Sequence, residues 1–190
     1  SGSAIVGGIC NRISASRVVG AVGFIGGGNQ NCILNNSAAI VGGSSNKIFQ
    51  SADSFIGGGN QNCISGSLRA GIVAGAVNTI RSSIRGFIGA GASNTIKNTQ
   101  HAGILGGQGN CIDSHNHSFI IGSNLTASAE CHTFVNNLFV ETNTTSSILS
   151  SSDHIIARNI TASNDISASG DIFATTGSFL HIAGQTERIK

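Results

Sequence analysis

Apolar and polar positions along this chain follow a sixteen-residue rhythm. Each period opens with one octapeptide: Phe, Ala or Gly, then Ile, then a third position, then a run of small residues ending in Asn. Its copies read AIVGGSSN (39–46), FIGGGNQN (55–62), GIVAGAVN (71–78), FIGAGASN (87–94) and GILGGQGN (103–110). Earlier copies begin at Ala4 and Phe24, with an irregular insertion around 17–22 between them. A decayed copy, FIIGSNLT, begins at Phe119. Ile follows two residues after each Asn, at Ile13, Ile33, Ile48, Ile64, Ile80, Ile96 and Ile112.

Helical repeats need about thirty residues or more, so a sixteen-residue period points instead to one coil of a β-solenoid. Each unit predicts a short strand, a glycine corner, a second short strand around Asn-x-Ile, and a small-polar connection to the next coil. Eight coils, stacked at about 4.8 Å, make a rod of roughly 38 Å. The expected fold is all-β: a parallel β-solenoid (β-roll) over 1–127, a transition over 128–158 and a different architecture over 159–190.

In a strand, the first and third positions face one way and the second the other. Both faces are apolar here. The second position is Ile in every unit. The first and third alternate between coils: Phe55 with Gly57, Gly71 with Val73, Phe87 with Gly89, Gly103 with Leu105. This pattern predicts volume matching along the stack, with Phe55 and Phe87 packing against Gly71 between them. A solenoid encloses only one face, and the sequence holds no amphipathic helix to cover the other. A second copy of the chain is the expected cover for that large apolar patch.

The C-terminal region has another period. Ile160, Ile166 and Ile172 are six apart, as are Ala162, Ala168 and Ala174. Six residues cannot close a coil in one chain, but they supply one side of a three-sided prism if three chains intertwine. A homotrimer is therefore expected, with a β-prism over 159–190. The polar end at Lys190 has no cap, so the natural chain is expected to continue.

Composition supports order rather than disorder. Only 9% of residues are charged, but 39% are hydrophobic and periodic; Pro, Met, Trp and Tyr are absent. A net charge of +2 is too small and scattered for a nucleic-acid partner. No apolar run reaches membrane-spanning length and no signal peptide is visible, so membrane insertion is not expected.

Candidate chemistry is sparse. Cys32, Cys63 and Cys111 share one repeat position, too far apart for a disulfide in alternate coils; with Cys10 and Cys131 they are expected to be free structural thiols. The Asn of each unit sits at a turn, where it tolerates left-handed backbone or forms a stacked amide ladder; a buried row and a sugar-binding row are the two readings. His115 and His117 form His-Asn-His near Asp113, readable as a polar loop or as a metal pair. Asp53 and Asp113 are the solenoid's acids, about 19 Å apart by strand spacing, too far for a glycosidase pair. Asp153-His154 beside Ser150–Ser152 is adjacency and not a triad. No catalytic, cofactor or metal residue is assigned, and an enzyme is not expected.

The units S-F-I-G-G-G-N-x-N-x-I, then Ser118–Thr126, Thr133–Leu138 and Asn159–Ile172, resemble tail-fibre and virion appendage proteins of bacteriophages, marine phages most of all. The solenoid units are also similar to the head β-roll repeats of trimeric autotransporter adhesins. The resemblance implies a trimeric shaft or tip located in the virion and contributing to host attachment. Implied partners are other fibre or baseplate proteins and a host-surface glycan or protein. A bacterial surface adhesin and a glycan-degrading tailspike are the alternatives. Thr186–Lys190 echoes the start of a self-cleaving chaperone, but Thr replaces Ser and Glu replaces Asp, so no catalytic role carries over.

Overall fold

The computed structural model describes residues 2–14, 22–34 and 37–137. The hexapeptide region 159–190 and the prism inferred from it lie outside the described residues. So do 138–158 of the transition and all of the 17–22 insertion except Val22.

The described residues form a parallel β-solenoid of about eight coils and contain no helix. Each of the first seven coils contributes one strand to each of two parallel sheets. The first sheet has nine strands, from Ala4–Ile5 through Phe55, Gly71 and Phe87 to Phe119–Ile121 and finally Thr133–Val135. That last strand lies within 128–158 and pairs in parallel with Phe119–Ile121. The second sheet has seven strands, from Arg12–Ser14 to Cys111–Asp113. Two columns of single-residue bridges close the corners, one through Asn29, Ser44, Asn60, Ala76 and Ala92, the other through Ala52, Leu68, Ile84 and Gln100.

The register explains the constant Ile positions. Ile56 pairs with Ile72 in the first sheet, and Ile64 with Ile80 in the second. Both columns point inward, and from Ile25 to Ile120 each of these isoleucines is fully buried. β-branched side chains suit both the strand and the column. Each buried Ile contributes about 1.5–3 kcal/mol of transfer free energy.

The coil turns through left-handed residues. In the fifth coil these are Gly75, Val77, Ser82 and Arg85, at φ 105°, 59°, 50° and 57°. Strand N–H groups bond forward, as Val73 N does to Ile88 O at 3.0 Å. The non-glycine left-handed residues bond backward instead: Val77 N donates to Asn60 O at 2.9 Å and Arg85 N to Leu68 O at 2.8 Å. A left-handed residue turns its peptide over, so one coil is tied to both neighbours. The Asn of each unit is not the left-handed residue that the sequence suggests. The residue before it is, as Gln61 (φ 56°) before Asn62 and Ser93 (φ 56°) before Asn94.

Glycine is obligatory at one corner. Gly59 has φ 92°, and a Cβ there would stand 2.0 Å from Gly75 O and 2.8 Å from Asn62 Nδ2. Those two groups bond each other across the corner.

Candidate interaction surface

Inside the rod, two polar spines accompany the isoleucines. The Asn row from Asn31 to Asn110 is buried. Asn62 shows the pattern. Its Nδ2 donates to Gly58 O at 3.0 Å and Gly75 O at 2.8 Å, and its Oδ1 accepts from Asn78 N at 3.0 Å. The ladder is mainly amide to backbone; Asn62 Nδ2 also reaches Asn46 Oδ1 at 3.1 Å. With its polar groups used internally, this row is a structural spine and offers no sugar-binding surface. A second spine runs through Ser51, Ser67, Ser83 and Thr99, where Ser67 N donates to Ser51 Oγ at 3.1 Å and Ser83 N to Ser67 Oγ at 3.2 Å.

The next residue in the serine register is His115, half-buried, with a buried Nδ1 that has no partner. His117 lies in a different row. It occupies an outward left-handed corner and stacks on His101, ring centroids 4.9 Å apart. Arg85 Nη1 lies 2.5 Å from His101 Nε2. The His-Asn-His motif thus divides between a half-buried position and an exposed column. Among the described residues no group of three or more His, Cys, Asp or Glu is placed to hold a metal ion.

The two solenoid aspartates are engaged separately. Asp53 stands 4.0 Å from Arg69, and Asp113 is 3.0 Å from Lys97. The Lys97 hydrogen bond, helped by Asn98 and Ser114, holds the Asp113 carboxyl below its ordinary value. All five cysteines are free. Cys32 and Cys63 sit either side of Lys47 in register, two coils apart, and burial pushes the Cys63 thiol up.

The outward face of the first sheet carries the alternating positions. Phe24, Phe55 and Phe87 are 40, 41 and 39% exposed, and Val73 and Leu105 are 46 and 47% exposed. The rings therefore tile a surface and do not fill the core. A Cβ at Gly71 would meet Phe87 at 3.7 Å, with no atom of Phe55 among its neighbours within 4 Å. Of the two rings expected against Gly71, only that of the following coil is there. Phe55 lies over Gly57, the residue just after its strand, 3.4 Å from where a Cβ would stand. Third-position glycine also has a backbone cause: a Cβ at Gly57 would stand 2.3 Å from Val73 O, and one at Gly89 2.4 Å from Leu105 O.

Neither known family models nor curated proteins match this chain.

Sequence reasoning left one property of this surface unnoticed. None of the eight octapeptides contains Asp, Glu, Lys, Arg or His. Stacked in register, they give the solenoid one side without charge, while Lys47, Arg69, Arg85 and Lys97 all lie on the remaining arc. Aligning the sequence at sixteen residues and marking charges alone would have found it. Chemically, this side offers uncharged contact area with exposed apolar groups.

Proposed function

We propose that this chain is a rigid structural segment of a virion appendage, the shaft or tip of a phage tail fibre, working as a homotrimer. Other fibre or baseplate proteins are its partners along the fibre, and a host-surface glycan or protein is the target to which the fibre attaches. The observation that carries the reading is internal. Two isoleucine columns and an asparagine spine run unbroken through successive coils, each coil bonded to both neighbours. Such a stack resists bending and extension. The likeness of the repeat units to fibre proteins supports the virion setting.

The test is direct. Light scattering of the full chain should give three times 19.1 kDa, and electron micrographs should show short rods. Immunogold labelling of phage particles from the source sample should decorate tail appendages. Label confined to bacterial surfaces would move the chain to the adhesins. A stable monodisperse monomer would remove the trimeric fibre reading.

A further inference from the structure

We infer that the charge-free side of the solenoid is the surface through which copies of this chain assemble, with rods parallel and each coil level with the same coil of its neighbour. The inference rests on the reading of the chain as an assembling rod, and adds which surface and which register.

Charge placement selects the surface. Octapeptide after octapeptide lacks every ionisable residue except Cys10, while Lys47, Asp53, Arg69, Arg81 and Arg85 fall outside. Desolvating this side costs no buried charge. Its outer groups are the exposed rings and branched chains of Phe55, Val73, Phe87 and Leu105.

Area is sufficient. A strip about 38 Å long and about 20 Å wide, from coil spacing and six residue positions, is roughly 760 Å². A stable interface uses about 800 Å² per partner.

Period selects the occupant. A partner that covers the whole strip has to present groups at the same coil spacing, and a second copy does so by construction.

Side-chain size selects the register. Each inner coil has one large and one small outward residue, and the large one changes sides from coil to coil. A rotation axis along the rod, twofold or threefold, brings the position-one edge of one copy beside the position-three edge of the next at the same height. Phe87 then faces Gly89, Val73 faces Gly71 and Leu105 faces Gly103, large against small at each level. Closed rotational symmetry permits no slip along that axis. Antiparallel rods would place position one against position one, and would match sizes only with the dyad midway between two coils; the dyad between the fourth and fifth is the one that overlaps all eight.

The test uses the full chain with Cys10, Cys32, Cys63, Cys111 and Cys131 changed to Ser. Chains carrying Gly71→Cys are refolded with differently tagged chains carrying Val73→Cys, then oxidised with copper phenanthroline. The expected result is a disulfide between the two tags. Val6→Cys with Ile121→Cys, the pair an antiparallel assembly would bring level, is expected to stay uncrosslinked. In the native background, Val73→Glu should keep the β circular dichroism spectrum and reduce the mass to one chain. An oligomer that crosslinks at Val6/Ile121, or fails to crosslink at Gly71/Val73, overturns the register and leaves the assembling rod standing. An unchanged oligomer mass for Val73→Glu overturns the choice of surface. A parent chain that is monomeric overturns both, and if that monomer floats with phosphatidylcholine vesicles, the surface meets lipid.

Discussion

Replacing Asn62 by Ala tests the spine at its centre. Asn62 is fully buried. Its loss takes the acceptor from Asn78 N and a donor from Gly58 O. Gly75 O is less affected, because Asn60 N also donates to it at 2.9 Å. Asn78 N is left unsatisfied at a buried position and Gly58 O at a part-buried one, at about 1–3 kcal/mol each, and a small void adds to that, giving about 3–5 kcal/mol in all. Asn60→Ala is the control. Asn60 is exposed on a neighbouring corner, and its replacement should stay within about 0.5 kcal/mol. Asn62→Asp sharpens the test. Its second oxygen would point at the Gly58 and Gly75 carbonyls, so the folded state has to keep a proton there. The folded pKa is raised, so the loss of stability should grow as pH rises through the carboxylate range. The assay is equilibrium urea unfolding of the full chain at two pH values, with the midpoint moving and the slope preserved. Equal midpoints for Asn62→Ala and Asn60→Ala would refute the spine as a source of stability.

Other expectations can be checked on the same preparation. Val77 is a β-branched residue at φ 59°, exposed on its corner; Val77→Asn should stabilise by about 1 kcal/mol, and a lower melting temperature would count against left-handed backbone there. Gly59→Ala should cost more than Gly58→Ala in thermal melting, because only Gly59 combines positive φ with a Cβ clash. Asp113 has a lowered folded pKa, so its contribution is present above the ordinary carboxylate value and lost as pH falls through the folded one; Asp113→Asn should flatten the stability profile on the acid side. Cys63 should react more slowly with iodoacetamide at pH 8 than exposed Cys10, and equal rates would contradict its burial.

The repeat made the coil and the constant Ile positions legible, because each depends on a side chain that few others can replace; burial of the Asn row was one of two readings. The left-handed corners were less visible. Gln61, Val77 and Ser93 share one corner, and Ser82, Asn98 and Gly66 another, since the outward side chain there is nearly unconstrained. The serine spine was hidden for a different reason: Ser51, Ser67 and Ser83 look like any loop serine until register places them above one another. The Phe/Gly alternation was read as volume alone. Gly57 and Gly89 answer to a carbonyl of the next coil, a backbone contact that side-chain pattern does not display.

That contact sets how the rod can change length. Each coil bonds only to its neighbours, so excising sixteen residues would rejoin compatible strands and spines. It would also bring two Phe coils or two Val coils together, in the wrong phase for the carbonyl approach at the third position. Excising thirty-two residues, such as 56–87, restores the original junction and shortens the stack by about 9.6 Å. The unit in which this molecule can be lengthened or shortened is the pair of coils, and duplication of its coding sequence in 96-nucleotide steps would lengthen the stack in the same phase.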